Sequence, residues 1–156
     1  MAVFETECAL ICPIDRVWEF LIRPANAMLV TPPDFHAKLL EGPEVLSLGS
    51  RIKVQLRRFG IATTLTSEVT ALEPIVLLRD EQPAGGGPMR RWSHTHRLEE
   101  RSGGCLMVDR IEFEPPGGLM GLMVTEAALL RELKTTFAYR ATRFRELLNV
   151  PNPPVA

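Results

Sequence analysis

Along most of this chain apolar and polar residues alternate with a period of two, and towards its end the spacing changes to that of a helix. The alternation predicts half-buried strands, and the later spacing predicts an amphipathic helix. Residues 2–11 read as a first strand, ended by Pro13, which has no N–H to give to a ladder. Ile14, Val17, Trp18 and Leu21 then fall at i, i+3, i+4 and i+7, a short helix with one buried face that Pro24 closes. Residues 25–30 allow one more helical turn before Thr31-Pro32-Pro33-Asp34 breaks it.

Further strands are expected at 35–40, 51–58, 61–72 and 75–82. In 51–58 the alternation is cleanest, with Ile52, Val54 and Leu56 on one face and Arg51, Lys53, Gln55 and Arg57 on the other. Gly60 makes a tight connection, and Pro74 separates the last two strands. The loop 83–88, with three glycines between two prolines, continues no regular element and is expected to be exposed and mobile. Strands 89–99 and 105–113, joined by Glu100-Arg101-Ser102-Gly103-Gly104, read as an antiparallel hairpin. Leu119, Leu122, Met123, Leu130, Leu133, Phe137, Phe144 and Leu148 then trace one continuous helix of about eight turns.

This order is an α+β pattern. It predicts a curved antiparallel sheet of about six to seven strands, two short helices after the first strand, and a long C-terminal helix over a cavity. Residues 1–150 read as a single ligand-binding domain and 151–156, rich in proline, as a disordered tail. The composition fits such a domain: 46% of the residues are hydrophobic, 24% are charged, and the formal net charge of −1 leaves no basic field for nucleic acid. Cys8, Cys12 and Cys105 lack CxxC spacing, so they are expected to be buried, reduced thiols. No apolar run is long enough for a membrane span, and a cytoplasmic location is expected.

Several unusual residues recur in a recognisable order: Asp80-Glu81-Gln82, Gly87-Pro88, Trp92-Ser93-His94-Thr95-His96, Asp109-Arg110-Ile111-Glu112-Phe113, Pro115 and Phe137-Ala138-Tyr139-Arg140. In these the chain resembles one branch of the START-like, polyketide-cyclase-like (SRPBCC, helix-grip) ligand-binding superfamily. That branch occurs as free-standing bacterial proteins and fused to a nucleotide-sugar epimerase-like domain. The resemblance implies a helix-grip fold, a hydrophobic small-molecule ligand and an association with an epimerase-like protein. The glycine-rich loop looks longer here, Cys105 stands where threonine is frequent, and Phe113 stands where tyrosine is common.

On strand 89–99 the period of two puts Trp92, His94, His96 and Leu98 on one face, which the indole and Leu98 mark as inward. On the partner strand Cys105, Met107, Asp109, Ile111 and Phe113 share a face, so Asp109 lies opposite His94 or His96 according to register. Such a pair suits a general acid or base acting on a polyketide-like substrate, and it also suits three polar groups that merely satisfy one another. His94-Thr95-His96 has the spacing of two metal ligands, with Asp109 as a third, but no further His or Cys cluster supports it; neither metal nor cofactor is expected. Asp80, Glu81 and Gln82 read as a solvated strand end. His36 is placed on a distant strand. Met107, Met123 and Leu130 are expected to line the cavity beside Trp92, His94, His96 and Asp109, although helix positions such as Leu130 are core first.

Three functions remain open at this level. The first is binding of a hydrophobic or amphipathic small molecule. The second is a cyclase, aromatase or dehydratase using a histidine, and the third is a protein-interaction module.

Overall fold

The computed structural model describes residues 1–149, and the tail expected at 151–156 lies outside the described residues. β1 (Ala2–Leu10) leads into α1 (Ile14–Leu21) and α2 (Pro24–Ala27), followed by single 3-10 turns at Met28–Val30 and Pro33–Phe35. β2 (Lys38–Glu41), β3 (Arg51–Arg58), β4 (Ile61–Glu73), β5 (Leu77–Glu81), β6 (Arg91–Arg101) and β7 (Gly104–Glu114) complete the strands. α3 (Gly118–Met123) and α4 (Glu126–Leu148) follow. All pairings are antiparallel, in one curved seven-stranded sheet ordered β1-β7-β6-β5-β4-β3-β2. The two helices after β1 therefore carry the chain from one sheet edge to the other.

Three expectations change. The strand expected at 35–40 starts only at Lys38, because Pro33 opens a 3-10 turn that ends on His36 in a left-handed conformation (φ 45°). His36 is thus on a turn, not a strand. The continuous terminal helix is broken: Val124 and Thr125 leave helical geometry, and Thr125 Oγ1 accepts the Ala128 N–H at 3.2 Å as a new N-cap. The break resets the helical phase, so Leu119, Leu122 and Met123 are exposed while Leu133, Phe137, Phe144 and Leu148 are buried. The glycine loop, finally, is folded back onto the sheet. Thr66 N–H donates to the Gly86 carbonyl at 2.6 Å, Gln82 Nε2 donates to the Met89 carbonyl at 2.7 Å, and a Cβ at Gly86 would stand 2.9 Å from the Thr66 oxygen.

The β6–β7 hairpin turns through Ser102 and Gly103 (φ 82°). Gly104 lies so close to β1 that a side chain there would strike the Leu10 carbonyl. The core has two parts. The C-terminal half of α4 packs Phe144 and Leu148 with Val17, Trp18, Met107 and the three cysteines, while the N-terminal half packs Leu129, Leu133 and Phe137 with Ile111 and Phe113. The cysteines are free and buried, and Cys105 is pushed up to about 11 by burial and then by its neighbours Cys12 and Cys8, so its thiol stays protonated. Among the described residues no helix is long and apolar enough to cross a membrane.

Candidate functional site

A cavity of about 590 Å³ lies between the sheet and the first half of α4. Its walls are mainly apolar: Val54 and Leu56 from β3, Leu65 from β4, and Leu129, Leu133 and Phe137 from α4. Alternation on each strand sends these side chains inward, and α4 presents its positions at i, i+4 and i+8. At the β3–β4 end, Arg58 pairs with Glu132 of α4 and with Asp34 at 3.5 Å, and its guanidinium lies over the Phe35 ring at 4.5 Å.

A polar part of the wall comes from two strands and the helix. His94 and Trp92 of β6, Asp80 of β5 and Arg140 of α4 border the cavity. Register places Asp80 directly opposite His94 on one side of β6, and Asp109 opposite His96 on the other. The carboxylate of Asp109 reaches both imidazoles through one oxygen: Oδ1 is 2.8 Å from His94 Nε2, in a hydrogen bond, and 2.7 Å from His96 Nδ1. The second is a close ion-pair contact, and His96 Nδ1 has no other polar partner among the described residues. The two rings lie 4.0 Å apart between centroids, and Phe137 meets His94 edge-on at 5.6 Å.

Burial sets the electrostatics. It works to raise the Asp109 carboxyl, but its close contacts with His96 and His94 outweigh it and hold the group far below the usual carboxylate range. Burial, followed by His96, lowers His94 against the pull of Asp109 and so favours its neutral form. Arg140 is also lowered by burial, with Asp109 and Asp80 opposing. Its Nε is sealed from solvent without a hydrogen-bond partner among the described residues, while its guanidinium lies over Phe137 at 5.0 Å.

The residues singled out from sequence are divided by the fold. Trp92 and His94 border the cavity, with His96 and Asp109 buried directly behind. Met107 sits in the solid core beside Cys8 and Phe144. Leu130 packs half-buried against the second core cluster, and Met123 is 84% exposed on α3, so Leu129 and Leu133 take the lining positions instead. Asp80 is no solvated strand end: it follows Leu78 by two residues and faces inward with it. Arg140 had a signal too, standing three residues after Phe137 and four before Phe144 on the buried helix stripe.

No protein-family model matches the chain, and no curated protein does. Solved structures do. Protein CV1439 from Chromobacterium violaceum superposes with a TM-score of 0.75 at 17% identity, covering 96% of this chain and 98% of that one. An uncharacterized protein from Rhizobium leguminosarum gives 0.70 at 16% identity, covering 93% and 95%. Major latex-like protein 151 from Panax ginseng gives 0.64 at 12% identity, covering 96% and 98%. With these neighbours, a seven-stranded antiparallel sheet, short helices after its first strand and a long terminal helix, the chain has the START-like, helix-grip fold.

Proposed function

We propose that the protein binds a hydrophobic or amphipathic small molecule in its internal cavity, with the apolar body against Leu56, Leu129 and Leu133 and an oxygen-bearing head towards His94 and Arg140. The observation that carries this reading is the cavity itself: a volume of about 590 Å³ lies in the range of small-molecule sites, and its mainly apolar wall bears a polar patch at His94 and Arg140. The guanidinium of Arg140, which borders the cavity, offers charged donors to an anionic or carbonyl oxygen. A cytoplasmic setting goes with the three free thiols.

Anilinonaphthalene sulfonate, an apolar body with an anionic head, tests the reading by fluorescence. The parent protein is expected to bind it, Leu133→Trp to abolish binding by filling the cavity, and Arg140→Met to weaken it by about tenfold or more, the usual value of a hydrogen bond to a charged group. Unchanged binding by a folded Leu133→Trp variant would refute the assignment.

A second reading rests on His94. A cavity-facing imidazole kept neutral by burial and bonded through Nε2 to a carboxylate is suited to act as a general base. On this reading the protein enolises a carbonyl compound of the polyketide type. Proton exchange at the central carbon of a bound β-diketone, followed by NMR, should then be faster with the parent than with His94→Gln. Equal rates would leave binding alone.

A further inference from the structure

Asp80 and His94 are direct register partners across β5 and β6, and His96 follows on the same face of β6. One ligand atom from each of the three lies within 4.8 Å of the other two. Behind them Asp109 holds His94 Nε2 at 2.8 Å and approaches His96 Nδ1 at 2.7 Å. This is the arrangement in which an outer carboxylate orients metal-binding imidazoles and raises their basicity.

We propose that Asp80, His94 and His96 bind one divalent first-row transition-metal ion, with Asp109 as the positioning carboxylate behind them. Two imidazoles and one carboxylate suit zinc, iron(II), cobalt or nickel better than calcium or magnesium, which take oxygen ligands. Asp80 and His94 border the cavity, so the coordination positions left by the three side chains open towards it. The charge permits it: with neutral imidazoles, the carboxylates of Asp80 and Asp109 outnumber the single guanidinium of Arg140. A bound dication would reverse that excess and favour a ligand with an anionic oxygen. The sequence, from which no metal was expected, allowed Asp109 as a third ligand; its Oδ1 instead lies against both rings, and Asp80 takes that place.

Tag-free protein stripped with a chelator and titrated with cobalt(II) and zinc tests the site without any organic ligand, and so independently of the cavity's occupant. The parent is expected to take up one equivalent of cobalt with weak visible d–d bands, displaced by zinc. His94→Ala, His96→Ala and Asp80→Asn should each weaken uptake at least tenfold. Asp109→Asn should weaken it by about 10–100-fold, as outer carboxylates do, and His36→Ala should leave it unchanged. Because His96 is buried, Asp80→Asn and His94→Gln at the cavity wall carry the test if His96→Ala does not fold. No uptake by the parent, undiminished uptake in Asp80→Asn and His94→Gln, or an intense thiolate-to-cobalt band placing the ion on cysteines would each overturn the proposal.

Discussion

Replacing Asp109 by alanine is expected to destabilise the protein by about 3–5 kcal/mol, the usual cost of removing one partner from a buried charge pair. The carboxylate is 3% exposed and serves two buried imidazoles with one oxygen. Its loss leaves His94 Nε2 without its hydrogen bond and opens a void between β6 and β7. Asp109→Asn should cost less, because the amide keeps the volume and one acceptor oxygen. Urea unfolding at neutral pH, with chelator present, measures both. The deficit should also depend on pH. The folded-state carboxyl is held below its ordinary 3.8, so its contribution is complete above that pH and drains away as the pH falls further. Parent and variant should therefore converge in acid. A deficit under about 1 kcal/mol at neutral pH would mean that water serves the imidazoles as well as Asp109 does.

The second large effect falls on the terminal helix. Phe144→Ala is expected to cost about 3–5 kcal/mol, since deleting a buried ring loses its transfer free energy and leaves a void that close-packed neighbours fill only in part. Phe144 is 1% exposed and meets Phe20 edge-on at 5.4 Å within the larger core cluster. Met123→Ser, by contrast, should stay within about 0.5 kcal/mol, as exposed positions do. Both residues stand on one stripe in the sequence, so the pair tests whether the helix breaks at Thr125. Equal costs at the two positions would contradict the break.

That stripe shows where sequence reasoning holds and where it fails. Period-two alternation found the strands because burial on one face constrains every second residue, and it put His94, His96 and Asp109 inward correctly. Helical periodicity does not report phase across an interruption, and a threonine N-cap inside an apolar run leaves the stripe almost intact. Met123 was misplaced for that reason. Leu130 erred by a single helical position. Asp80 was misread because a carboxylate at a strand end is usually solvated, and only the neighbouring strand shows what it faces. The glycine loop was taken for a free lip. Its backbone bond to Thr66 joins residues distant in sequence and leaves no compositional trace. The register between β6 and β7, open in the sequence, proved to give Asp109 access to both imidazoles, so the choice between them was no choice.

Three of the buried polar groups, His94, His96 and Asp109, sit on one hairpin closed by Ser102 and Gly103, while the apolar lining comes mostly from β3, β4 and α4. The two sets of residues can therefore vary separately. A substitution at Val54, Leu65 or Leu129 resizes the chamber without replacing a histidine, and a substitution at His96 or Asp109, behind the wall, alters the polar cluster without removing a lining side chain. The size of the chamber and the chemistry of its polar wall are consequently open to selection, or to an engineer, along separate mutational routes.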